Sequence, residues 1–289
     1  MANFVWEIAG NAEICKERFT DMRFSCPVCG EKLNVSEGRA VCSSGHSFDK
    51  SRYGYYNLLP SGGAHGDNKD MVLARRKFLS GGFYEPLAKQ VANMALEYTP
   101  IGGSLLDAGA GEGYYTDIIE RAFMMRERRS DISAFDISKD AVREICKKNP
   151  RITAVVAGSY HMPIADGEFD TVVNTFSPLA LEETRRVLKS GGIFIMAIPG
   201  VMHLYELKAL IYDTPYKNTV DDTALEGFEL VLDAPLTYDI YLGNAENVNN
   251  LFMMTPYAYR TNSVGRERVL SAESLKCTAD FRIFVYRKV

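Results

Sequence analysis

Ser104-Leu-Leu-Asp-Ala-Gly-Ala-Gly-Glu-Gly-Tyr-Tyr-Thr116 runs an apolar segment into an acid, then sets glycines at alternate positions, then begins a helix. Glycines so placed let a chain turn sharply out of a strand and approach a ligand with no Cβ in the way. The spacing is G-x-G-x-G, from Gly109 through Gly111 to Gly113, with Glu112 inside the loop. A dinucleotide site would read G-x-G-x-x-G and cradle a pyrophosphate at a helix N-terminus. An anionic Glu112 repels a diphosphate and suits a cationic ligand. A glycine turn that binds nothing is a third reading, but it leaves unexplained why acids recur at the neighbouring strand ends.

Those acids appear as the reading moves outward. Asp107 ends the first strand, and Asp136 ends the next in Ala134-Phe135-Asp136-Ile137-Ser138. A carboxylate there can hold the two hydroxyls of a ribose. A third strand end brings Gly158-Ser-Tyr-His-Met-Pro163, followed by Asp166 and Phe169-Asp170. Strands are expected over 104–108, 132–136, 152–157, 169–174 and 192–198, with helices over 115–126, 139–149 and 181–188. This alternation predicts an α/β chain with a parallel sheet covered on both faces. Residues 69–98 predict two helices broken at Gly81-Gly82. Beyond Pro199 the pattern gives a helix over 204–212, a strand pair within 228–242, a helix over 246–254 and a last strand over 281–287. The order of glycine loop, ribose acid and following loops resembles the class I S-adenosylmethionine-dependent methyltransferases. That resemblance makes the expected fold a Rossmann-like sheet, and it makes the cation a sulfonium donor with an α-ammonium group.

Upstream, Cys26-Pro-Val-Cys29 and Cys42-Ser-Ser-Gly-His46 give C-x2-C-x12-C-x3-H. Two tight turns joined by a hairpin can present three thiolates and one imidazole, a closed tetrahedral zinc shell. The metal is therefore expected to be structural, and so small a module would depend on it to fold. Whether the module grips a substrate or braces its neighbour is open at this stage. The other cysteines, Cys15, Cys146 and Cys277, are scattered singly and take no role. The expected organisation is an N-terminal extension over 1–22, a zinc-binding β module over 23–60, a linker and helices over 61–98, and the sheet domain over 99–289.

Composition sets the bounds. With 289 residues, 46% of them hydrophobic, the chain can bury a full core beside a small accessory module. Nothing approaches the ~18 apolar residues of a membrane span, and no secretory leader is visible, so a reducing cytoplasm is expected. The net charge of −4 gives no support to a nucleic-acid partner. Lys50, Arg52, Arg75, Arg76, Lys77 and Lys89 could form a local basic surface, although a solvated helix face is the commoner meaning of such residues.

With both modules in view, the chain from Phe24 onward resembles the bacterial 23S ribosomal RNA guanine-N1 methyltransferases. The resemblance rests on Phe24-Ser-Cys-Pro-Val-Cys29, Gly45-His-Ser-Phe-Asp49, Gly54-Tyr-Tyr-Asn-Leu-Leu-Pro60, Ala74-Arg-Arg-Lys-Phe-Leu79, the 107–116 loop, Pro199-Gly-Val-Met-His-Leu-Tyr-Glu-Leu-Lys208 and Met254-Thr-Pro-Tyr257. It implies methylation of guanine N1 in a hairpin of 23S ribosomal RNA, with S-adenosylmethionine and Zn2+ as cofactors. It also implies cofactor contacts at Tyr84, Gly111, Glu112 and His203. Gly109, Gly113 and Asp136 join this set from the reading of the loop, as does Asp107, for which shaping the loop is the favoured role, and Cys26, Cys29, Cys42 and His46 are the metal set. The family's two subtypes modify neighbouring guanines, one of them linked to resistance against macrolides such as tylosin, and these residues do not say which applies.

The catalytic base is left unassigned. Enzymes that methylate exocyclic amines often carry Asn/Asp-Pro-Pro-Tyr after the fourth strand, whereas this chain has Asn174-Thr-Phe-Ser-Pro-Leu179. His161, Asp166 and Asp170 are candidates by position only. Phe176 and Tyr257 are candidates for stacking on a flipped base, with core packing as the alternative role. Two rival functions stand beside the RNA reading: a small-metabolite methyltransferase with the zinc module as a lid, and a non-catalytic zinc-dependent RNA-binding protein. No membrane or obligate protein partner is implied, and a homodimer is open.

Overall fold

The computed structural model describes residues 21–60, 66–220 and 223–289. Cys15, the leader through residue 20 and linker residues 61–65 lie outside the described residues. The chain opens with four short strands, β1 (Asp21–Ser25), β2 (Lys32–Ser36), β3 (Arg39–Val41) and β4 (Ser47–Asp49), paired antiparallel in that order. A two-residue strand, β5 (Tyr56–Asn57), precedes helices α1 (Lys69–Ser80) and α2 (Glu85–Tyr98). The expected alternation then follows: β6 (Ser104–Ala108), α3 (Tyr114–Met125), β7 (Asp131–Asp136), α4 (Lys139–Lys148), β8 (Thr153–Val156), β9 (Phe169–Thr175), α5 (Leu181–Val187) and β10 (Leu188–Pro199). The remainder is α6 (Tyr205–Ile211), β11 (Phe228–Leu242), α7 (Ala245–Met253), α8 (Tyr257–Arg260), α9 (Ser263–Leu270) and β12 (Leu275–Lys288). Side-chain caps fix several helix starts, with Asn68 accepting from the Met71 N–H at 3.0 Å and Asn244 from the Asn247 N–H at 2.8 Å.

The main sheet has the order β11-β12-β10-β9-β6-β7-β8-β5. From β10 to β5 all neighbours are parallel, while β12 runs antiparallel to both β10 and β11. The Rossmann-like expectation therefore holds for the centre, with an antiparallel edge added. Residues 228–242 are not a strand pair. They form one long strand that pairs with β12 along its length, from Phe228 opposite Lys288 to Leu242 opposite Leu275. Pro235 sits inside it, which an edge strand tolerates because the missing N–H faces no further neighbour. After β6 the chain winds through β7 and β8, then crosses back to β9 on the other side of β6. That reversal opens a crevice at the carboxyl ends of β6 and β9, where ligands of such sheets bind.

The two faces of the sheet are covered differently. One packs on helices: Leu105, Ile132, Val173 and Ile195 share a core with Leu87 and Val91 of α2, Ile119 and Phe123 of α3, and Val142 and Ile145 of α4. The other, presenting Leu106, Phe135, Val155, Phe169, Val172 and Phe194, shares its core with Met22, Phe24, Leu33 and Ala40 of the N-terminal module. The module thus does the work of a helical layer. Phe24 is fully buried, the Ser25 N–H donates to the Pro163 carbonyl at 2.6 Å, and Arg23 pairs with Asp131 at 2.6 Å and Glu168 at 2.5 Å. Through these contacts the module braces the sheet domain.

Cys26, Cys29, Cys42 and His46 offer ligand atoms that all lie within 4.8 Å of one another. Cys29 Sγ to Cys42 Sγ is 3.6 Å, and Cys42 Sγ to His46 Nδ1 is 3.4 Å. A tetrahedral zinc with bonds of about 2.0–2.3 Å separates its ligands by roughly 3.3–3.8 Å, so the four residues fit that ion. Each pair is folded by its own backbone turn, the Gly30 N–H donating to the Cys26 carbonyl at 2.8 Å and the Gly45 N–H to the Cys42 carbonyl at 3.0 Å. Because the metal closes the β2–β3 hairpin whose apolar side covers the sheet, its removal should loosen this layer first. Hydrogen exchange with and without a strong chelator should show amides of 21–49 losing protection while those of β6, β9 and β10 keep theirs; simultaneous loss everywhere, or none, would contradict this.

Candidate active site at the sheet crevice

The glycine loop is built as its spacing implied. Gly109 and Gly113 both take left-handed φ angles, +78° and +75°, and neither has room for a side chain. A Cβ on Gly109 would lie 1.9 Å from Ser177 Oγ, and one on Gly113 would meet Ile145 at 2.9 Å. Between them, the Gly111 N–H donates to Asp136 Oδ2 at 2.9 Å, and the Ser138 N–H donates to the other Asp136 oxygen at 2.8 Å. The acid at the end of β7 therefore holds the loop that follows β6, and β6 and β7 are neighbours in the sheet.

Asp107 is buried beneath this loop. Its Oδ2 accepts from Thr116 Oγ1 at 2.5 Å, tying the strand end to α3, while its Oδ1 has no partner. Burial, reinforced by the charge of Asp136, pushes its carboxyl up to about 7. Glu112 is also buried, with Oε1 unpartnered, and burial raises its carboxyl against the opposing pull of Arg75. Burial likewise raises Asp136, against its two backbone hydrogen bonds. In sequence, Arg75 belongs to a set readable as a local basic surface or a solvated helix face. It instead turns inward from α1, pairs with Asp67 and lines the same cavity as the three acids. Sequence alone gave no sign of this, since nothing local distinguishes Arg75 from Arg76.

Tyr84 and His203, 119 residues apart, meet in the cavity wall: Tyr84 Oη lies 3.2 Å from His203 Nε2. His203 Nδ1 accepts the Asp280 backbone N–H at 3.3 Å, so Nε2 carries the ring proton and donates it to Tyr84. Burial drives the His203 imidazole down to about 3, so the ring is neutral. A neutral ring adds no positive charge to a site suited to a cation.

These groups line one cavity of about 1380 Å³. Its wall includes Asp107, Gly109, Gly111, Glu112, Asp136, Tyr84 and His203 from the expected set, and Ser25, Cys26, Pro27 and Gly30 of the zinc module. Gly113 sits behind the wall, as the N-cap of α3. Two further polar residues line the cavity, Tyr115 and Thr175, and their hydroxyls are buried without a partner. In sequence they looked like ordinary members of a helix start and a strand.

Phe176 follows Thr175 at φ +59°, an uncommon conformation for an aromatic residue and one found at functional sites. Its half-exposed ring stands 6.2 Å from those of His203 and Tyr115 and 6.3 Å from that of Tyr84. Tyr257 lines the cavity from the C-terminal helices. Of the three base candidates, Asp170 is not at the site. It lies near the amino end of β9, where it accepts from the N–H and hydroxyl of Ser104 at 2.9 Å each and pairs with Lys189 at 2.8 Å. Asp166 lines the cavity but is paired with Arg186 at 3.0 Å. His161 lines it too, on the exposed loop after β8.

Comparison with known proteins finds the same two modules. Residues 24–64 match the family described as RlmA, N-terminal, a zinc ribbon, and residues 106–196 match a methyltransferase domain. A Micromonospora griseorubida protein, named provisionally as a 23S rRNA (guanine-N(1)-)-methyltransferase, is 32% identical, covering 91% of this chain and 97% of its own length. The Streptomyces fradiae 23S rRNA (guanine(748)-N(1))-methyltransferase is 35% identical over 63% of this chain and 65% of its own. A Bacillus subtilis protein, YxjB, named provisionally like the first, is 28% identical over 91% of this chain and 94% of its own. With a zinc ribbon and a donor-binding sheet matched in order, and a full-length relative above 30% identity, the chain belongs to the 23S rRNA (guanine-N1)-methyltransferase family.

Proposed function

We propose that this protein uses S-adenosylmethionine to methylate N1 of a guanine in 23S ribosomal RNA. The observation that carries the reading is a set of four buried polar atoms without partners, Asp107 Oδ1, Glu112 Oε1, Tyr115 Oη and Thr175 Oγ1, on residues that line one cavity. Buried polar groups are nearly always paired, so four orphans in one wall mark a ligand's place. At about 1380 Å³ the cavity exceeds the ~300–1,000 Å³ of a typical single-ligand site, which supports room for a donor and a flipped base together.

The residues fit this donor. Glu112 and Asp107 supply negative charge for a sulfonium and an α-ammonium group, and Asp136 retains acceptor capacity on both oxygens for ribose hydroxyls. Tyr84 and His203 line the same cavity. When bound, the donor supplies an electrophilic methyl group, so the protein's task is alignment and exclusion of water. Guanine N1 must lose its proton as it is methylated, and negative charge builds on O6. Burial holds the Tyr115 hydroxyl well above its usual range, so it stays protonated and able to donate a hydrogen bond to such an oxygen. For the departing proton, His161 is the one of the three positional candidates that is neither remote from the cavity, as Asp170 is, nor paired with Arg186, as Asp166 is. Phe176, held at the mouth by its strained backbone, supports a role as the ring on which the base stacks.

Three measurements test this reading. Purified protein with labelled donor should place N1-methylguanine in unmodified 23S rRNA transcripts, mapped by mass spectrometry; label entering only small metabolites would install the metabolite reading instead. Glu112→Gln should weaken donor binding about 10- to 100-fold in calorimetry, the ~1.5–3 kcal/mol of a hydrogen bond to a charged group, without lowering the melting temperature of the donor-free protein. The third concerns protons. Asp107 titrates near 7 in the free site, and a bound cation lowers a neighbouring carboxyl's pKa, so binding near neutrality should release protons. Affinity should therefore rise from pH 6 to 8 and level off above, and calorimetry in two buffers of different ionisation heat should report proton release; uptake would reverse the assignment.

A further inference from the structure

Tyr53, just before β5, gathers positive charge from two distant parts of the chain. The Arg52 guanidinium lies 4.7 Å from the ring centroid and donates to Tyr53 Oη at 2.6 Å. From α4, Lys147 Nζ lies 5.4 Å from the same ring and the Arg143 guanidinium 5.6 Å. Lys50 stands 5.9 Å from the neighbouring ring of Tyr56, and Arg76 joins through Glu144 at 2.8 Å. The acids at this surface are Glu144, shared by Arg76, Arg143 and Lys147, and Asp140, paired with Arg143. Five cations face two acids, a local excess of three positive charges on a chain whose net charge is −4. Lys50 and Arg52 are exposed and form no ion pair with any described residue.

The surface is joined to the cavity by both segments that carry it. Leu58, Leu59 and Pro60, five to seven residues beyond Tyr53, line the cavity, and so does Ile137, two residues before α4. At about 1.5 Å per helical residue, Arg143 and Lys147 lie roughly 9 and 15 Å along the chain from that wall. A nucleic-acid strand presents a phosphate every ~3.4 Å of its axis, so backbone leading from a base in the cavity passes within reach. Glu144 and Asp140 neutralise only part of this charge, so the cations left over repel one another unless a further anion joins them, and an aromatic ring beneath them favours stacked bases over simple anions.

We propose that Lys50, Arg52, Arg143 and Lys147 around Tyr53 form a docking surface for the RNA backbone flanking the methylated base. This rests on the RNA reading above. The test is the salt dependence of binding to an unmodified 23S rRNA hairpin transcript, for the full-length protein and for Lys50→Ala/Arg52→Ala, chosen because neither side chain leaves an acid unpaired. Loss of two phosphate contacts should make the slope of log K against log salt shallower by about 1.4–1.8. Between 50 and 200 mM salt the wild type should then lose about 7- to 12-fold more affinity than the variant. Donor affinity and kcat at saturating RNA should be unchanged, and Lys50→Arg/Arg52→Lys should keep the wild-type slope, which a loss of packing would not explain. A double-alanine variant with the wild-type slope overturns the proposal while leaving the RNA reading intact. A wild type that neither binds nor methylates this RNA overturns both.

Discussion

The structure depends on how the second face of its sheet is kept from water. Leu106, Phe135, Phe169 and Phe194 present an apolar surface that a doubly wound fold would ordinarily cover with helices. Here a metal-closed antiparallel module supplies much of that cover through Met22, Phe24, Leu33 and Ala40. Burying one large aromatic side chain contributes about 1.5–3 kcal/mol, so Phe24 alone is a sizeable share of a domain's net stability. The module has too few apolar residues to hold its own shape, and the sheet is too apolar to stand bare. Each completes the other, with the metal fixing the geometry and Arg23 fixing the position.

The same arrangement shapes the chemistry. Because the first cysteine turn reaches the cavity wall, the module that seals the sheet also helps to enclose the reaction. The crevice comes from the sheet's change of winding direction at β6. The ribbon closes one side of it, α1 with Arg75 and Asp67 another, and the C-terminal helices with Tyr257 a third. No single element holds the site, which is why Tyr84 and His203 must be brought together across 119 residues.

Much of this was legible in the sequence, for identifiable reasons. Buried parallel strands are short apolar runs, so β6 and β7, each running into an acid, and β9, with its Val172-Val173 centre, stood out, and Cys/His spacing stated the metal set outright. Residues 228–242 misled because Pro235 and mixed polarity suggested a break, whereas an edge strand with one exposed side accommodates both. The short helices α8 and α9 went unseen because four and eight residues carry too little periodicity. In the site, carboxylates at strand ends were readable from position. Thr175 and Tyr115 were not, because a hydroxyl's significance lies in lacking a partner, a property of three dimensions. Arg75 escaped for the same reason, its neighbours Asp67, Glu112 and Asp136 being set by the fold.

The crowding of three acids in one wall carries a further consequence for turnover. Once the methyl group has left, the spent cofactor carries one positive charge fewer, and Asp107, no longer facing a sulfonium, can take back the proton it gave up on binding. If these acids hold the donor as proposed, their electrostatic grip is weaker on the used molecule than on a fresh one, which favours exchange after each cycle without any moving part.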